Sequence, residues 1–360
     1  MKKITSLAAI VAASALALSA CSGGDSKSVG SNSDYKACLV SDQGGWDDKS
    51  FNESAFNGLK VAEKDLKVKT GTSESKGVAD FGPNVDAQVA DGCNLIIGVG
   101  FMLAPATLAA AQNNPDINFA LIDSAFTDKD NKVVPLKNGR PLVFNTAEAA
   151  YLAGYAAAGM TKTGTVATFG GMPIPSVTVF MDGFADGVKA YNEAKGKNVK
   201  LLGWDKAAQT GSFTNSFEDQ NLGKTQTQQF IDQGADIVMP VAGPVGLGAA
   251  AAAKADGKTL IVGVDSDWYE STPDYKAIVL TSVMKQIDKS VIDTVKIGSE
   301  GKFTSEPYIG TLENGGVSLA PFHDFDSKVP ADLKDEIKKL SDKIKSGDLK
   351  IESKSSPKTK

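Results

Sequence analysis

The chain has 360 residues, which is too long for one ordinary hydrophobic core and predicts two domains. Its 42% hydrophobic and 22% charged residues are typical of a globular protein and argue against a largely disordered chain. The formal net charge of −5 argues against a general nucleic-acid binder, which needs a basic face. A single histidine, His323, and three cysteines exclude multi-histidine and four-thiolate metal sites and a disulfide scaffold. We therefore expect no metal and no nucleic-acid partner.

The N-terminal segment has the pattern of a lipoprotein signal peptide. Lys2 and Lys3 precede an uncharged run at 4–20, and LSAC at 18–21 resembles a bacterial lipobox. In a lipobox the chain is cut before the cysteine, and the thiol receives diacylglycerol. We therefore predict a signal peptide at 1–20 and a lipid on Cys21. A plain secretory signal and a retained membrane anchor are the alternatives.

The next segment, 21–34, is predicted to be a flexible tether, because it is rich in glycine, serine and charge. Without residues 1–20 the chain has 36 basic against 43 acidic residues, a net charge of −7, since the removed segment holds two lysines and no acid. A protein with this negative net charge is not attracted electrostatically to anionic lipid. We expect the lipid to hold it, as a monomer, on the extracytoplasmic face of the cell membrane.

Alternating strands and helices are predicted from residue 35 onward, and short apolar runs without polar alternation indicate parallel strands covered on both faces. In the first half, strands are predicted at 36–41, 68–72, 95–99 and 119–122, and helices at 54–65, 85–91 and 105–113. In the second half, strands are predicted at 165–169, 200–204, 237–240, 260–264 and 277–282, and helices at 147–160, 179–194, 223–233, 248–255 and 286–297. The pattern predicts an α/β protein with two doubly wound sheets joined near 143–145. A charged amphipathic helix is predicted at 331–349 and a frayed end at 352–360.

Two cysteines, Cys38 and Cys93, each begin an apolar run of the first half. If these runs form neighbouring parallel strands, the two sulfurs can meet. A disulfide is permitted outside the cell membrane, whereas two buried free thiols would pack as small hydrophobic groups. Both possibilities stay open at this point.

Polar and aromatic residues gather in the loops after the predicted strands. In open parallel sheets, ligands bind outside the carboxyl ends of the strands. The first such loop, 42–52, combines carboxylates, a carboxamide and glycines with Phe51, just ahead of a helix. It is either a ligand-binding loop or a helix start capped by Asp48 or Ser50.

The set of residues at strand ends indicates a binding site. Phe51 and Phe213 come from different halves, and two aromatic faces can hold a flat heterocycle between them. Asp42, Asp265 and Lys285 also follow strands, and a carboxylate can accept hydrogen bonds from two vicinal hydroxyls. No nucleophile with an adjacent base is visible, because the one histidine lies in the C-terminal segment, where a surface position is expected.

Six short motifs resemble those of the bacterial basic-membrane-protein (BMP) lipoproteins. They are DDKSFN at 47–52, GVGF at 98–101, FALID at 119–123, EAAYLAG at 148–154, GADIV at 234–238 and GVD at 263–265. The resemblance covers residues 35–325. Members of this family resemble purine nucleoside receptors, the substrate-binding parts of ABC importers. The resemblance implies the type I periplasmic-binding-protein fold, with two Rossmann-like lobes and three crossovers at the hinge.

The same resemblance implies how the chain is divided. The first lobe would hold 35–144 and about 283–312, and the second lobe 145–282 and about 313–330. The C-terminal helix and tail would occupy 331–360. After about residue 282 the chain would thus return to the first lobe, and a later strand would cross back.

Residues are also assigned to the ligand by the resemblance. Asp42 and Gln43 would contact the base of a nucleoside. Phe51 and Phe213 would stack on the base from opposite lobes. Phe101 would line the cleft.

A second group of residues would surround the sugar. Asp265 would hold the ribose hydroxyls, with Lys285 and the loop from Gly243 to Gly246 nearby. Asp123 would also line the cleft.

We therefore expect the substrate-binding protein of an ABC importer, which closes two lobes on a purine nucleoside and delivers it to a permease. It would not be an enzyme. No cofactor is expected, because the glycine-rich runs at 223–225 and 243–248 match neither a P-loop nor a dinucleotide fingerprint. Three alternatives stay open: a sugar, riboflavin-like or signalling ligand on the same fold; a nucleoside hydrolase that uses aspartates as acid and base; and an adhesin without a small ligand.

Overall fold

The computed structural model describes residues 34–128, 130 and 132–357. The predicted signal peptide, Cys21 and all of the predicted tether except Asp34 lie outside these residues. Within them, no helix combines the length and the hydropathy needed to cross a membrane.

Six parallel strands form the first sheet, which is covered on both faces. In spatial order they are Lys69–Ser73 (β2), Lys36–Ser41 (β1), Leu95–Val99 (β3), Asn118–Ile122 (β4), Gly139–Phe144 (β5) and Tyr308–Gly310 (β13). Successive side chains of a strand point to opposite faces. Along β1, Ala37 and Leu39 accordingly pack in one cluster of the core, and Cys38 and Val40 in the other. Burial on both sides explains the uninterrupted apolar sequence of this strand.

Four helices cover the first sheet: Phe51–Leu66 (α1), Val78–Ala90 (α2), Ala104–Asn113 (α3) and Ile287–Ser299 (α9). The helices α1 and α9 pack against each other, and α2 and α3 pack together on the other face. At the first contact a β-carbon on Gly58 would lie 2.6 Å from the backbone oxygen of Asp288, so glycine allows the close approach. The late helix α9 therefore belongs to the first lobe.

The second sheet also has six strands. In spatial order they are Lys200–Leu202 (β7), Thr165–Gly170 (β6), Ile237–Val241 (β10), Leu260–Asp265 (β11), Val279–Lys285 (β12) and Val317–Leu319 (β14). All neighbours are parallel except β12 and β14, which pair antiparallel. A separate short hairpin joins Trp204–Asp205 (β8) to Thr210–Gly211 (β9).

Six helices belong to the second lobe: Ala147–Met160 (α4), Pro175–Lys195 (α5), Gln220–Asp232 (α6), Val245–Asp256 (α7), Trp268–Ser271 (α8) and Ala331–Lys345 (α10). The small residues of α4 let α5 pack against it at short range. A β-carbon on Gly187 of α5 would lie only 2.0 Å from the backbone oxygen of Tyr151. The helix α10 packs on the same α4 through Leu333 and other apolar side chains.

The chain passes between the lobes three times: after β5, after β12 and between β13 and β14. Hydrogen bonds join the crossing segments. The backbone N–H of Asn145 donates to Gly310 at 2.8 Å, and that of Gln286 donates to Gly316 at 2.9 Å. The prediction of an α/β protein with two parallel-sheet lobes is confirmed.

Several elements differ from their predicted form. The strands β5, β13 and β14 were not predicted, because β5 contains Pro141 and the other two have only three residues each. The predicted strand at 200–204 is interrupted at Gly203, whose left-handed φ of +84° breaks the extended chain. The helix α2 begins at Val78 rather than at the predicted residue 85, and it continues through Pro83.

The C-terminal tail is ordered against the second lobe, so the prediction of a frayed end is wrong for its described part. Ile351 is buried, and the Ser353 hydroxyl donates to Asp182 Oδ2 at 2.6 Å. Asp182 is fully buried on α5 and also accepts from Trp204 Nε1 and Gln209 Nε2, each at 2.9 Å. A buried carboxylate needs such donors, and the tail supplies one of them.

Cys38 and Cys93 are joined by a disulfide bond, with their Cα atoms 6.1 Å apart. The bond connects β1 to the segment just before β3, and these strands are neighbours in the sheet. Of the two possibilities that the sequence left open, the structure therefore contains the bonded pair.

Candidate ligand-binding site

A cavity lies between the two sheets, at the carboxyl ends of their strands. Residues at or after the ends of seven strands supply most of its wall, three from the first lobe (β1, β3 and β4) and four from the second (β6, β10, β11 and β12). Aromatic rings and carboxyl groups reach it from both lobes. This is the edge at which open parallel sheets bind ligands.

Eight of the ten residues predicted to contact a ligand line this cavity. They are Asp42, Gln43, Phe51, Phe101, Asp123, Gly243, Asp265 and Lys285. The rule that strand ends meet at one edge of a parallel sheet brings these residues together across the chain. Phe213 and Gly246 are not among the lining residues.

The loop after β1 both starts a helix and forms part of the cavity wall. Asp48 accepts hydrogen bonds from the backbone N–H groups of Ser50 at 2.9 Å, Asn52 at 2.8 Å and Glu53 at 3.0 Å. It thereby caps α1, as one interpretation of the loop expected. Because the first residue of the capped helix is Phe51, the cap also fixes this ring at the cavity.

Asp42 approaches the loop after β3 so closely that only glycine fits opposite it. Gly100 has a left-handed φ of +116°, and a β-carbon there would lie 1.9 Å from Asp42 Oδ2. The Asn52 side-chain amide donates to the backbone oxygen of Gln43 at 3.1 Å, which fixes the neighbouring residue as well. Glycine at position 100 is therefore a requirement of the site geometry.

A buried lysine joins carboxylates from both lobes. Lys285 Nζ, at the end of β12, lies 2.6 Å from Asp123 Oδ2 of the first lobe and 3.0 Å from Asp265 Oδ1 of the second. The side chain of Lys285 is only 2% exposed, and its ammonium also lies 4.7 Å from the centre of the Phe51 ring. Asp123 directly follows β4 and Asp265 ends β11, and both are in the left-handed conformation, with φ of +65° and +67°. The two sheets thus place equivalent aspartates on one ammonium group.

The pKa values of the cavity groups are shifted by burial and by one another. Burial raises the pKa of Asp42 well above its ordinary value, against a hydrogen bond from Asn52 that lowers it. Burial also raises the pKa of Asp123, although Lys285 opposes this. Burial alone would lower the pKa of Lys285, but the two carboxylates beside it raise the value. A protonated Asp42 could donate a hydrogen bond as well as accept one.

We predict a pH-dependent contribution of Asp48 to stability. Burial raises the pKa of Asp48 from 3.8 to about 6 in the folded protein. Between these two pH values Asp48 is protonated in the folded state and ionised in the unfolded state. Its stabilising contribution is therefore complete below pH 3.8 and is lost as the pH rises through about 6. Urea unfolding of wild type and Asp48→Asn from pH 4 to 7 measures the effect. The variant, which keeps an oxygen acceptor, should gain stability relative to wild type as the pH rises; parallel curves would contradict the assignment.

Phe213 is not among the residues that line the cavity, whereas Phe217 of the same loop is. Backbone hydrogen bonds of 3.0 Å from Gly170 to Ser212 and from Thr214 to Gly170 hold the chain alongside the end of β6. This alignment places the Phe213 ring against Trp204, with ring centres 6.1 Å apart.

The ring of Phe217 occupies space that a glycine leaves open. A β-carbon on Gly171 would lie 2.3 Å from this ring. Both phenylalanines occur in the same loop, GSFTNSF at 211–217, and nothing in that sequence decides which one reaches the cleft. Phe217 is therefore the phenylalanine of this loop that lines the cavity.

Gly246 does not line the cavity either. Gly246 is the second residue of α7 and is buried there, and a β-carbon on it would lie 2.7 Å from the Trp268 ring. Its glycine is explained by packing against this ring. The cavity contacts of the loop come from Gly243 and Pro244, just before the helix.

Some lining residues were missed by sequence reasoning. Ile174, Ser176 and Phe180 belong to the loop after β6 and to the first turns of α5. The same strand-end rule would have pointed to this loop, but it lacks a charged or carboxamide side chain that would have drawn attention to it. The histidine, in contrast, lies outside the cavity, as expected: the His323 ring stacks on Tyr269 with ring centres 4.0 Å apart.

Comparisons with known proteins agree with this architecture. The chain matches the family model described as "ABC transporter substrate-binding protein PnrA-like" over residues 36–355. It is similar to the ABC transporter nucleoside-binding protein BmpA of Lactococcus lactis subsp. cremoris, with 32% identity over 98% of this chain and 99% of that protein. It is also similar to basic membrane protein A1 of Borrelia garinii subsp. bavariensis, with 30% identity over 86% of each chain.

The fold is also similar to that of a solved structure. The crystal structure of an ABC transporter system solute-binding protein from Aeropyrum pernix superimposes with a TM-score of 0.79 and 25% identity. The match covers 88% of this chain and 92% of that one. The predicted class of two lobes, each with a parallel sheet, is thus shared with a solute-binding protein.

Proposed function

We propose, on the premise that this chain belongs to the PnrA-like family of ABC transporter substrate-binding proteins, that it binds a purine nucleoside between its lobes and delivers it to a permease. The family resemblance inferred from six motifs is confirmed. The similar protein from Lactococcus lactis is named for nucleoside binding, which supports this choice of ligand.

The observation that supports the proposal most directly is the composition of the cavity. Phe51 from the first lobe and Phe217 from the second are available to cover the two faces of a purine. The carboxylate of Asp265, beside Lys285, can accept hydrogen bonds from the two ribose hydroxyls. Asp42, with its raised pKa, can exchange hydrogen bonds with the polar edge of the base, together with the neighbouring carboxamide.

Calorimetric titration of the purified protein tests the proposal. Inosine, adenosine and guanosine should bind, and ribose alone should not, because it lacks the aromatic ring. Inosine monophosphate should bind far more weakly than inosine, since the cavity holds four aspartates and one lysine. Binding of ribose or of a riboflavin-like ligand in preference to nucleosides would refute the nucleoside as the ligand. It would not contradict the proposed role in transport. Silence across the panel, from folded protein stripped of co-purified ligand, would also refute it.

Stacking by Phe217 gives a separate prediction. Phe217→Ala should weaken inosine binding by about 1–3 kcal/mol, the range measured when aromatic side chains that stack on bases are removed. Phe213→Ala is the matched control, because the same side chain four residues earlier packs on Trp204 outside the cavity. Its affinity should stay close to wild type. A larger loss of inosine affinity in Phe213→Ala than in Phe217→Ala, measured by calorimetry, would assign the stacking to Phe213 instead.

A role without catalysis is part of the proposal. The matching family is described as substrate-binding and the Lactococcus lactis relative as nucleoside-binding, which supports it. Incubating inosine with the protein and assaying for free hypoxanthine tests the hydrolase alternative, and release of base in proportion to the protein would contradict the proposal.

Attachment to the membrane is proposed through the lipid on Cys21, with the body on the extracytoplasmic face as a monomer. The LSAC motif supports the attachment. Mass spectrometry of the N-terminal peptide should find a diacylglyceryl-modified cysteine at position 21. An unmodified N-terminus produced by cleavage at another position would indicate a plain secretory signal, and an uncleaved chain that begins at Met1 would indicate a retained membrane anchor.

A further inference from the structure

Two serine hydroxyls make hydrogen bonds across the cleft in opposite directions. Ser50, in the loop that leads into α1 of the first lobe, donates to the backbone oxygen of Val264 in the second lobe at 2.9 Å. Ser266, just after β11 of the second lobe, donates to the backbone oxygen of Lys49 in the first at 3.0 Å. Each lobe thus supplies one hydrogen-bond donor and one acceptor. They are adjacent residues in the first lobe, Lys49 and Ser50, and two residues apart in the second, Val264 and Ser266.

The backbone on both sides is shaped for this exchange. Lys49 has a left-handed φ of +59°, which is uncommon outside glycine, and its carbonyl is the acceptor for Ser266. Asp265, directly after the acceptor residue Val264, has a left-handed φ of +67°. Backbone strain of this kind persists where the surrounding structure stabilises it.

Neither serine lines the ligand cavity, but one of them contacts a residue that does. The Ser50 hydroxyl lies 3.2 Å from Asp265 Oδ2, and Asp265 Oδ1 lies 3.0 Å from Lys285 Nζ. The two oxygens of this carboxylate therefore have partners from different lobes and different elements. Behind the other serine, Ser271 Oγ lies 3.1 Å from Ser266 Oγ and can support its orientation.

We propose that Ser50 and Ser266 are positioning residues that stabilise the closed arrangement of the lobes without touching the ligand. Their hydrogen bonds form only when the loops at 49–50 and 264–266 meet, so they add to the free energy of closure whatever ligand is inside. Ser50 in addition orients Asp265, the residue proposed to hold the ribose. This inference rests on the proposed function only in the choice of nucleoside as the probe.

The test compares wild type with Ser50→Ala, Ser266→Ala and the double variant. Inosine should dissociate about fivefold faster from each single variant, since one hydrogen bond contributes about 1 kcal/mol and each 1.4 kcal/mol is tenfold. The association rate should change little, because the bonds form after the ligand has entered. The increase in the dissociation rate should be the same for inosine and guanosine, because the lobes close in the same way on both.

Ser54→Ala is the matched control. Its hydroxyl donates to the backbone oxygen of Ser50 at 2.8 Å, wholly within the first lobe, and dissociation should remain at the wild-type rate. The alanine at position 50 leaves no unpaired carbonyl behind, because Val264 also accepts from Trp268 Nε1 at 3.0 Å. Loss of fold is therefore not the expected result at position 50.

A second measurement is independent of the ligand. Small-angle X-ray scattering of the ligand-free proteins should give a larger radius of gyration for the double variant than for wild type and the Ser54→Ala control. If inosine binds no protein in the series, the nucleoside proposal fails, and scattering alone decides the role of the serines. Unchanged radius and dissociation rate in folded variants would overturn the inference, as would a loss confined to one nucleoside.

Discussion

Replacing Lys285 by methionine should cost about 3–5 kcal/mol of stability at neutral pH, the usual effect of removing one partner of a buried ion pair. The ammonium of Lys285 is buried between Asp123 and Asp265, which lie 2.6 and 3.0 Å from it. Without the cation, two buried carboxylates face each other across the cleft. Urea unfolding at pH 7 measures the loss, and titration with inosine should detect no binding.

The pH dependence of this variant distinguishes charge from packing. Lys285 lowers the pKa of Asp123 in the wild type, against the raising effect of burial. In Lys285→Met the carboxyl should therefore bind a proton at higher pH than in wild type. Stability should recover as the pH falls, because the folded state then gains more protons than the unfolded state. A loss that stays constant with pH would point to packing alone.

An exposed pair supplies the control for Lys285→Met. Lys338 and Asp342 form an ion pair on the surface of α10, where the two side chains are 75% and 56% exposed. Pairs of this kind contribute little to stability, because water and salt screen them. Lys338→Met should therefore unfold almost as wild type does, with unchanged inosine binding.

Removing the disulfide should lower the free energy of unfolding by about 4 kcal/mol. The bond between Cys38 and Cys93 closes a long loop, with a sequence separation of 55 residues. In the chain-entropy description, a loop of this length restricts the unfolded chain by roughly that amount. Both cysteines are buried, so the double variant Cys38→Ala and Cys93→Ala replaces them by small apolar side chains. Thermal and urea unfolding measure the change.

A reducing agent provides the internal control. Wild type in dithiothreitol should approach the stability of the double alanine variant, whereas the variant itself should not respond. Inosine binding below the unfolding transition should be nearly unchanged, because Cys38 and Cys93 are not among the residues that line the cavity. A large affinity loss in folded, disulfide-free protein would show that the bond also shapes the site.

The cavity residues illustrate how far sequence reasoning reaches. Asp42, Asp265 and Lys285 were predicted because each follows an apolar strand, and parallel strands end at one edge. Phe217 was missed because the loop after β9 has no periodic pattern. Its direction depends on backbone bonds to Gly170, which lies some forty residues away in sequence.

The C-terminal tail shows a second limit. Its composition is polar and rich in lysine and serine, which predicted a frayed end. The buried carboxylate of Asp182 accepts a hydrogen bond from Ser353, and this partner is far away in the sequence. The local sequence around Ser353 does not indicate that a buried carboxylate elsewhere in the chain needs a hydrogen-bond donor.

By itself, the sequence determined the alternation of strands and helices, the two sheets and eight of the residues that line the cavity at their edge. These features follow from local periodicity and from the general geometry of parallel sheets, which need no knowledge of distant contacts. Only the tertiary structure decided that Phe217 and not Phe213 lines the cavity, that Cys38 is bonded to Cys93 and that Ser50 and Ser266 meet the opposite lobe. Each of these depends on the relative placement of segments far apart in the chain, because a hydrogen bond or a ring contact is fixed to within an ångström only when both partners are in place.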